Sequence, residues 1–148
     1  GNKMKVIISH KNPKQDSHTW IQDISSLDIL VDDAEATEII VDCTLCTFDY
    51  NNIGPILGKI VSKLRLQGKV VIYEKDIDMI CHNYNKSGMN IQDLNNLVFE
   101  ETPAVACLLN TEVISDLLKQ AGLTIEEKFI NNDTMQSIVI ARRDKNAA

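Results

Sequence analysis

Aromatic residues make up only 5% of this 148-residue chain, and fifteen Lys and Arg stand against twenty-one Asp and Glu for a net charge of -6. A nucleic-acid surface draws its affinity from clustered cations and stacks bases on aromatic faces, so both scarcities argue against one. The one basic pair is Arg142-Arg143. No apolar run approaches the ~18 residues that would suggest a membrane span, and no charged-then-apolar leader opens the chain, which predicts a soluble, cytoplasmic protein. Four cysteines, Cys43, Cys46, Cys81 and Cys107, are few for a disulfide framework in a chain able to build its own core, and they read as reduced thiols. Neither an internal repeat nor a low-complexity tract is present.

The apolar share of 44% and the charged share of 24% fit one globular domain, burying roughly 68–70% of its unfolded surface. Gly1-Asn2-Lys3 ahead of Met4 reads as the remnant of a cut tag, residues 4–143 as a single domain and 144–148 as a tail.

Hydrophobic periodicity alternates between strand and helix. β-Branched runs predict strands over 5–9, 19–22, 27–31 and 38–43. Ile53, Ile56, Leu57, Ile60, Val61 and Leu64 share one helical face, with Asn51 or Asn52 as cap, Pro55 in the first turn and a stop near Gln67-Gly68. A strand over 69–73 follows, then weaker helices over 76–83 and 91–99. A last helix carries Val113, Ile114, Leu117, Leu118 and Ala121, capped by Asn110 or Thr111 and stopped by Gly122. Runs over 123–130 and 135–141 flank the turn residues Asn131-Asn132-Asp133 and predict an antiparallel hairpin at a sheet edge. The sum is an α/β fold with a mostly parallel sheet closed by an antiparallel C-terminal hairpin. Only 10–18 separate the first two strands, too few residues for an ordinary helical crossover, so the first crossover helix is expected to be missing.

Four segments carry a family likeness. Trp20-Ile21-Gln22-Asp23 is similar to a W-I-N-L-D second strand, and Asp32-Asp33-Ala34-Glu35-Ala36 to a D-A-E segment. The passage from Ile60 through Gly68-Lys69-Val70-Val71-Ile72 looks like L-x-x-G-G-x-L-x-I, and Leu117-Leu118-Lys119-Gln120-Ala121-Gly122-Leu123 like L-L-x-x-A-G-F. In this order they resemble the class I S-adenosylmethionine-dependent methyltransferases, over nearly the whole chain. The resemblance implies a Rossmann-like sheet with S-adenosylmethionine as cofactor: Asp23 on the ribose hydroxyls, Asp33 with Ala34 at the adenine, and Ser9 in the turn after the first strand. That turn departs from the family's G-x-G pattern, because Ile8-Ser9-His10-Lys11-Asn12-Pro13 contains no glycine. Where relatives carry V-L-E-H after the fourth strand, Thr44-Leu45-Cys46-Thr47 stands instead, so no general base is evident.

Other constellations are weaker. Cys43-Thr44-Leu45-Cys46 is formally a C-x-x-C, but Cys81-His82 is poorly spaced to complete a zinc site, so no metal is expected and the thiols read as structural. His10 and His18 fall in the loop that replaces the glycine turn, where solvated histidines are commoner than catalytic ones. Asp76 and Asp78 follow a strand end, where open α/β sheets bind ligands, and equally suit a helix start. The functional expectation is a methyltransferase-like domain with an eroded cofactor turn, working as a weak or non-catalytic binding or assembly module with a protein partner or as a homo-oligomer. Two alternatives stand beside it: an active small methyltransferase with a reshaped first loop, and a structural subunit of a larger, even viral, assembly.

Overall fold

The computed structural model describes residues 3–144. Most of the expected tag remnant and tail, at 1–2 and 145–148, lies outside that range. Six strands form one sheet in the order β2-β1-β3-β4-β6-β5. β1 (Met4–Ile8) pairs in parallel with β2 (Thr19–Ile21) on one side and with β3 (Ala36–Asp42) on the other. β3 continues in parallel to β4 (Leu64–Lys75). β6 (Gln136–Arg142) then runs antiparallel between β4 and the edge strand β5 (Thr124–Asn131), as the hairpin signal requires. The β5 edge carries Glu126, Glu127 and Lys128 and a register shift beside Glu126, features that discourage pairing with another sheet.

One sheet face holds the core. Val6, Ile8, Ile39, Val41, Val70, Ile72, Val139 and Ala141 meet Leu27 of α1 (Leu27–Leu30), Leu57, Ile60 and Val61 of α2 (Ile53–Ser62), and Ile114 and Leu118 of α5 (Thr111–Gln120). The opposite face carries Ile7, Ile40, Val71 and Ile138. Residues 9–18 contain no helix, and this loop runs over that second face: Gln15 lies beside Ile7 and Ile40, and His18 Nε2 is 2.8 Å from Glu38 Oε2. The missing crossover helix is thus replaced by an extended loop, as the residue count demanded.

Two expectations need correction. Residues 27–31 are not a strand: Leu27–Leu30 is a short helix, following a 3₁₀ turn whose N-cap is Asp23. The buried pair Leu27 and Val31 has the i, i+4 spacing of a helical face, while Ile29 and Leu30 between them are exposed. The long helix stops at Ser62, well before Gln67-Gly68, and Leu64 already belongs to β4. Arg143 ties the helix end to the strand that follows, since its Nη1 donates to Val61 O of α2 at 3.2 Å and to Leu64 O of β4 at 2.6 Å.

Gly68 marks this joint. A Cβ there would come within 2.9 Å of Arg65 O and 3.0 Å of Ala36 O, both backbone atoms that cannot swing aside. Gly68→Ala should therefore cost about 1–3 kcal/mol, seen as a lower urea midpoint at unchanged slope. An unchanged midpoint would mean that the joint has room for a methyl group.

Candidate functional site

The carboxyl ends of β1, β3 and β4 point to one edge, where a cavity of ≈ 370 Å³ lies between Ser9, His10 and Lys11, the β3 end at Asp42 and Cys43, and Lys75, Glu101, Thr102 and Gln136. Open parallel sheets bind their ligands at this edge. The turn after β1 is tightly tied. Ser9 Oγ donates to Lys11 O at 2.8 Å, Trp20 Nε1 to Ser9 O at 3.1 Å and Gln22 Nε2 to His10 O at 3.1 Å. His10 Nε2 is enclosed without a hydrogen-bond partner.

The residues assigned to a cofactor by resemblance do not converge. Ser9 and Asp23 lie at the carboxyl edge, after β1 and β2, and Asp23 already accepts from the Ser25 N–H at 3.0 Å, the bond that holds its carboxyl below the usual range. Asp33 and Ala34 precede β3, whose first residue Ala36 is level with Met4 at the start of β1. They therefore occupy the amino edge, a strand length of roughly 17–20 Å away. There Asp33 pairs with Lys63 Nζ at 2.8 Å and the Ala34 N–H donates to Ser62 O at 2.9 Å. This placement separates Asp33 and Ala34 from Ser9 and Asp23, because the chain enters β3 directly from the turn that carries them. The short helix α1 stands where a third strand would have brought such a segment to the other edge.

Glu74 belongs to no motif of the sequence. It shares the inward register of Val70 and Ile72 on β4 and is fully buried. The Leu45 N–H donates to its Oε2 at 3.0 Å, while Oε1 has no partner. Burial pushes the Glu74 carboxyl up to about 8. An acid at the second position after Ile72 in an otherwise apolar alternation is the one signal that could have found it. Around it stand Cys43, Cys46 and Cys107, all free thiols. Burial, reinforced by the negative field of Glu74, pushes Cys43 up to about 12 and also raises Cys46 and Cys107. These thiols are protonated at neutral pH, which suits structural roles and disfavours nucleophilic ones. Cys43 itself holds a positive φ of 49°, turning the chain sharply out of β3.

The histidines separate: His10 lines the cavity, whereas His18 is held by Ser17 and Glu38 over the second sheet face. Asp76 caps α3 (Ile77–Lys86) through the Met79 N–H and joins a buried network, so it serves structure. Asp78 accepts from Asn110 Nδ2 at 3.1 Å. Among the described residues no group of three or more His, Cys, Asp or Glu is placed to hold a metal, and no helix is long and apolar enough to cross a membrane.

No family model and no curated protein sequence matches the chain. Solved structures do. An S-adenosylmethionine-dependent methyltransferase from Archaeoglobus fulgidus superposes with a TM-score of 0.62 at 10% identity, covering 96% of this chain and 86% of that one. Magnesium protoporphyrin IX methyltransferase from Synechocystis, solved with bound S-adenosylhomocysteine, gives 0.56 at 12% identity over 88% of this chain and 53% of its own. A chain of the Haloferax volcanii complex between a methyltransferase activator and a methyltransferase gives 0.60 at 10% identity over 91% and 65%. The chain thus spans about half to two-thirds of the last two, and the likeness is one of fold: a class I methyltransferase-like sheet.

Proposed function

We propose that this methyltransferase-like domain has lost methyl transfer and acts as a binding and assembly module. The turn after β1 carries the proposal. Three side chains, Ser9, His10 and Lys11, stand where the family's glycine turn leaves space for S-adenosylmethionine, and bonds from Trp20 and Gln22 hold the backbone there. The residues present do not fit the cofactor: of the two expected acidic contacts only Asp23 reaches the right edge, and one of its oxygens is committed to Ser25. The complex of one structural neighbour with an activator protein makes a protein partner the favoured class.

Isothermal titration with S-adenosylmethionine and S-adenosylhomocysteine tests this reading. No saturable heat up to millimolar ligand is expected. Micromolar binding would overturn it and favour the active-enzyme alternative, which the ≈ 370 Å³ cavity at the carboxyl edge supports by its size. In that alternative Ser9 and Asp23 touch the cofactor, and Asp23→Ala would abolish the heat.

A further inference from the structure

Residues 76–105 leave the sheet at the end of β4, and the chain is tied back to the main body at Ala106. They comprise α3, α4 (Ile91–Asn95) and a π turn (Asn96–Glu100). Their buried side chains Ile80, Val98 and Thr102 are separate from the main core cluster. Both ends are pinned: the Ile77 N–H donates to Leu109 O at 2.9 Å, and the Ala106 N–H to Cys46 O at 2.7 Å. Between the pins the seam with the sheet is poorly filled. The ≈ 370 Å³ cavity and a narrow one of ≈ 20 Å³ at Glu74 each have this segment as one wall, and an open groove of ≈ 460 Å³ runs along its surface beside Met135. A π turn over such a seam is a common mark of a functional segment.

Glu74 sits beneath that wall. Its narrow cavity is lined on the cap side by Ile77, Ile80, Val98 and Val105, with Thr102 the one hydroxyl among them, and its Oε1 has no hydrogen-bond partner. Cys46 and Cys107 also line it, and Asp42 and Cys43 bear on Glu74 from the β3 end. The nearest cation along the strand, Lys75, is paired with Glu101 of the segment itself. None of these groups neutralises a charge on Glu74, and a carboxylate enclosed there lacks the water that would solvate it.

We infer that residues 76–105 form a cap that opens locally about its two pinned ends, and that a negative charge on Glu74 drives the opening. The cap is a unit of low stability lying over a buried acid, so it opens without unfolding of the sheet.

Amide hydrogen exchange at pH 6 and pH 8.5, each referenced to intrinsic rates, tests the inference on the whole chain. In wild-type protein the protection of α3 and α4 amides should stay below that of α5 and β6 at both pH values and should fall about tenfold or more between them. Glu74→Gln should abolish that fall, and Glu74→Met serves as a second uncharged variant should the first not fold. Val98→Ala should raise exchange in the cap at both pH values and leave the pH difference in place. An equal fall in either uncharged variant, or α3 and α4 amides as strongly protected as those of α5 and β6, would overturn the inference.

Discussion

Glu74→Gln should be more stable than wild-type protein at pH 9 and should lack the decline that wild-type protein shows as the pH rises. In the unfolded chain this carboxyl titrates near 4.5, and burial moves it to about 8 in the folded protein. Between these values the folded state retains a proton that the unfolded state has released, so stability falls with rising pH across that window and levels above it. Stability from this group is fully present below about 4.5 and gone once pH passes about 8. Each tenfold change in proton affinity is worth about 1.4 kcal/mol, which makes the whole decline roughly 3–5 kcal/mol. Gln retains an oxygen to accept the Leu45 N–H and carries no charge at any pH. Urea unfolding at pH 5 and pH 9 measures the difference; parallel curves for the two proteins would show that Glu74 is already solvated in the folded state.

The opposite sign is expected for the neighbouring acid. Asp76→Ala should cost about 3–5 kcal/mol. Asp76 is 1% exposed and accepts from the Met79 N–H at 2.8 Å, the Thr111 N–H at 3.1 Å and Ser137 Oγ at 2.8 Å. One carboxylate thereby caps α3, meets the first turn of α5 and anchors the β6 strand. Alanine leaves all three donors without their acceptor, the Ser137 hydroxyl in a fully buried position and the two N–H groups half-buried. Asp76→Asn keeps one acceptor oxygen and should lose less than half as much. A shift of the urea midpoint worth under about 1 kcal/mol for the alanine variant would mean that water replaces the carboxylate in this network.

The two acids lie two residues apart and illustrate what is legible in the sequence. Asp76 is readable as a helix start because an acid before Ile77-Asp78-Met79 is a local capping pattern. That it also serves α5 and β6 depends on residues 35 and 61 positions away, which no window of sequence contains. Glu74 is harder to read, because a strand written Val70-Val71-Ile72-Tyr73 is apolar on both faces and only the even spacing from Val70 and Ile72 marks the next acid as inward. The parallel strands, the bare first crossover and the closing hairpin follow from run lengths and turn residues. The strand expected at 27–31 fails because five apolar-rich residues fit either periodicity, and the cap at Asp23 decides for a helix. The edge at which Asp33 lies is not legible for a related reason: likeness of a short segment carries no information about which edge of the sheet it reaches.

The strand order has a consequence for how the chain is made. β6 is the last strand of the described chain, yet it lies inside the sheet with β4 on one flank and β5 on the other. A ribosome that has released residues up to Asn131 therefore presents β5 with no neighbour and leaves the outer side of β4 unpaired. Val139 and Ala141, both fully buried, are still to come. The sheet closes only when the final strand slides between its two partners and Arg143 reaches the end of α2. Until then the outer side of β4 and both sides of β5 stay unpaired, an exposure that invites wrong pairing with other chains.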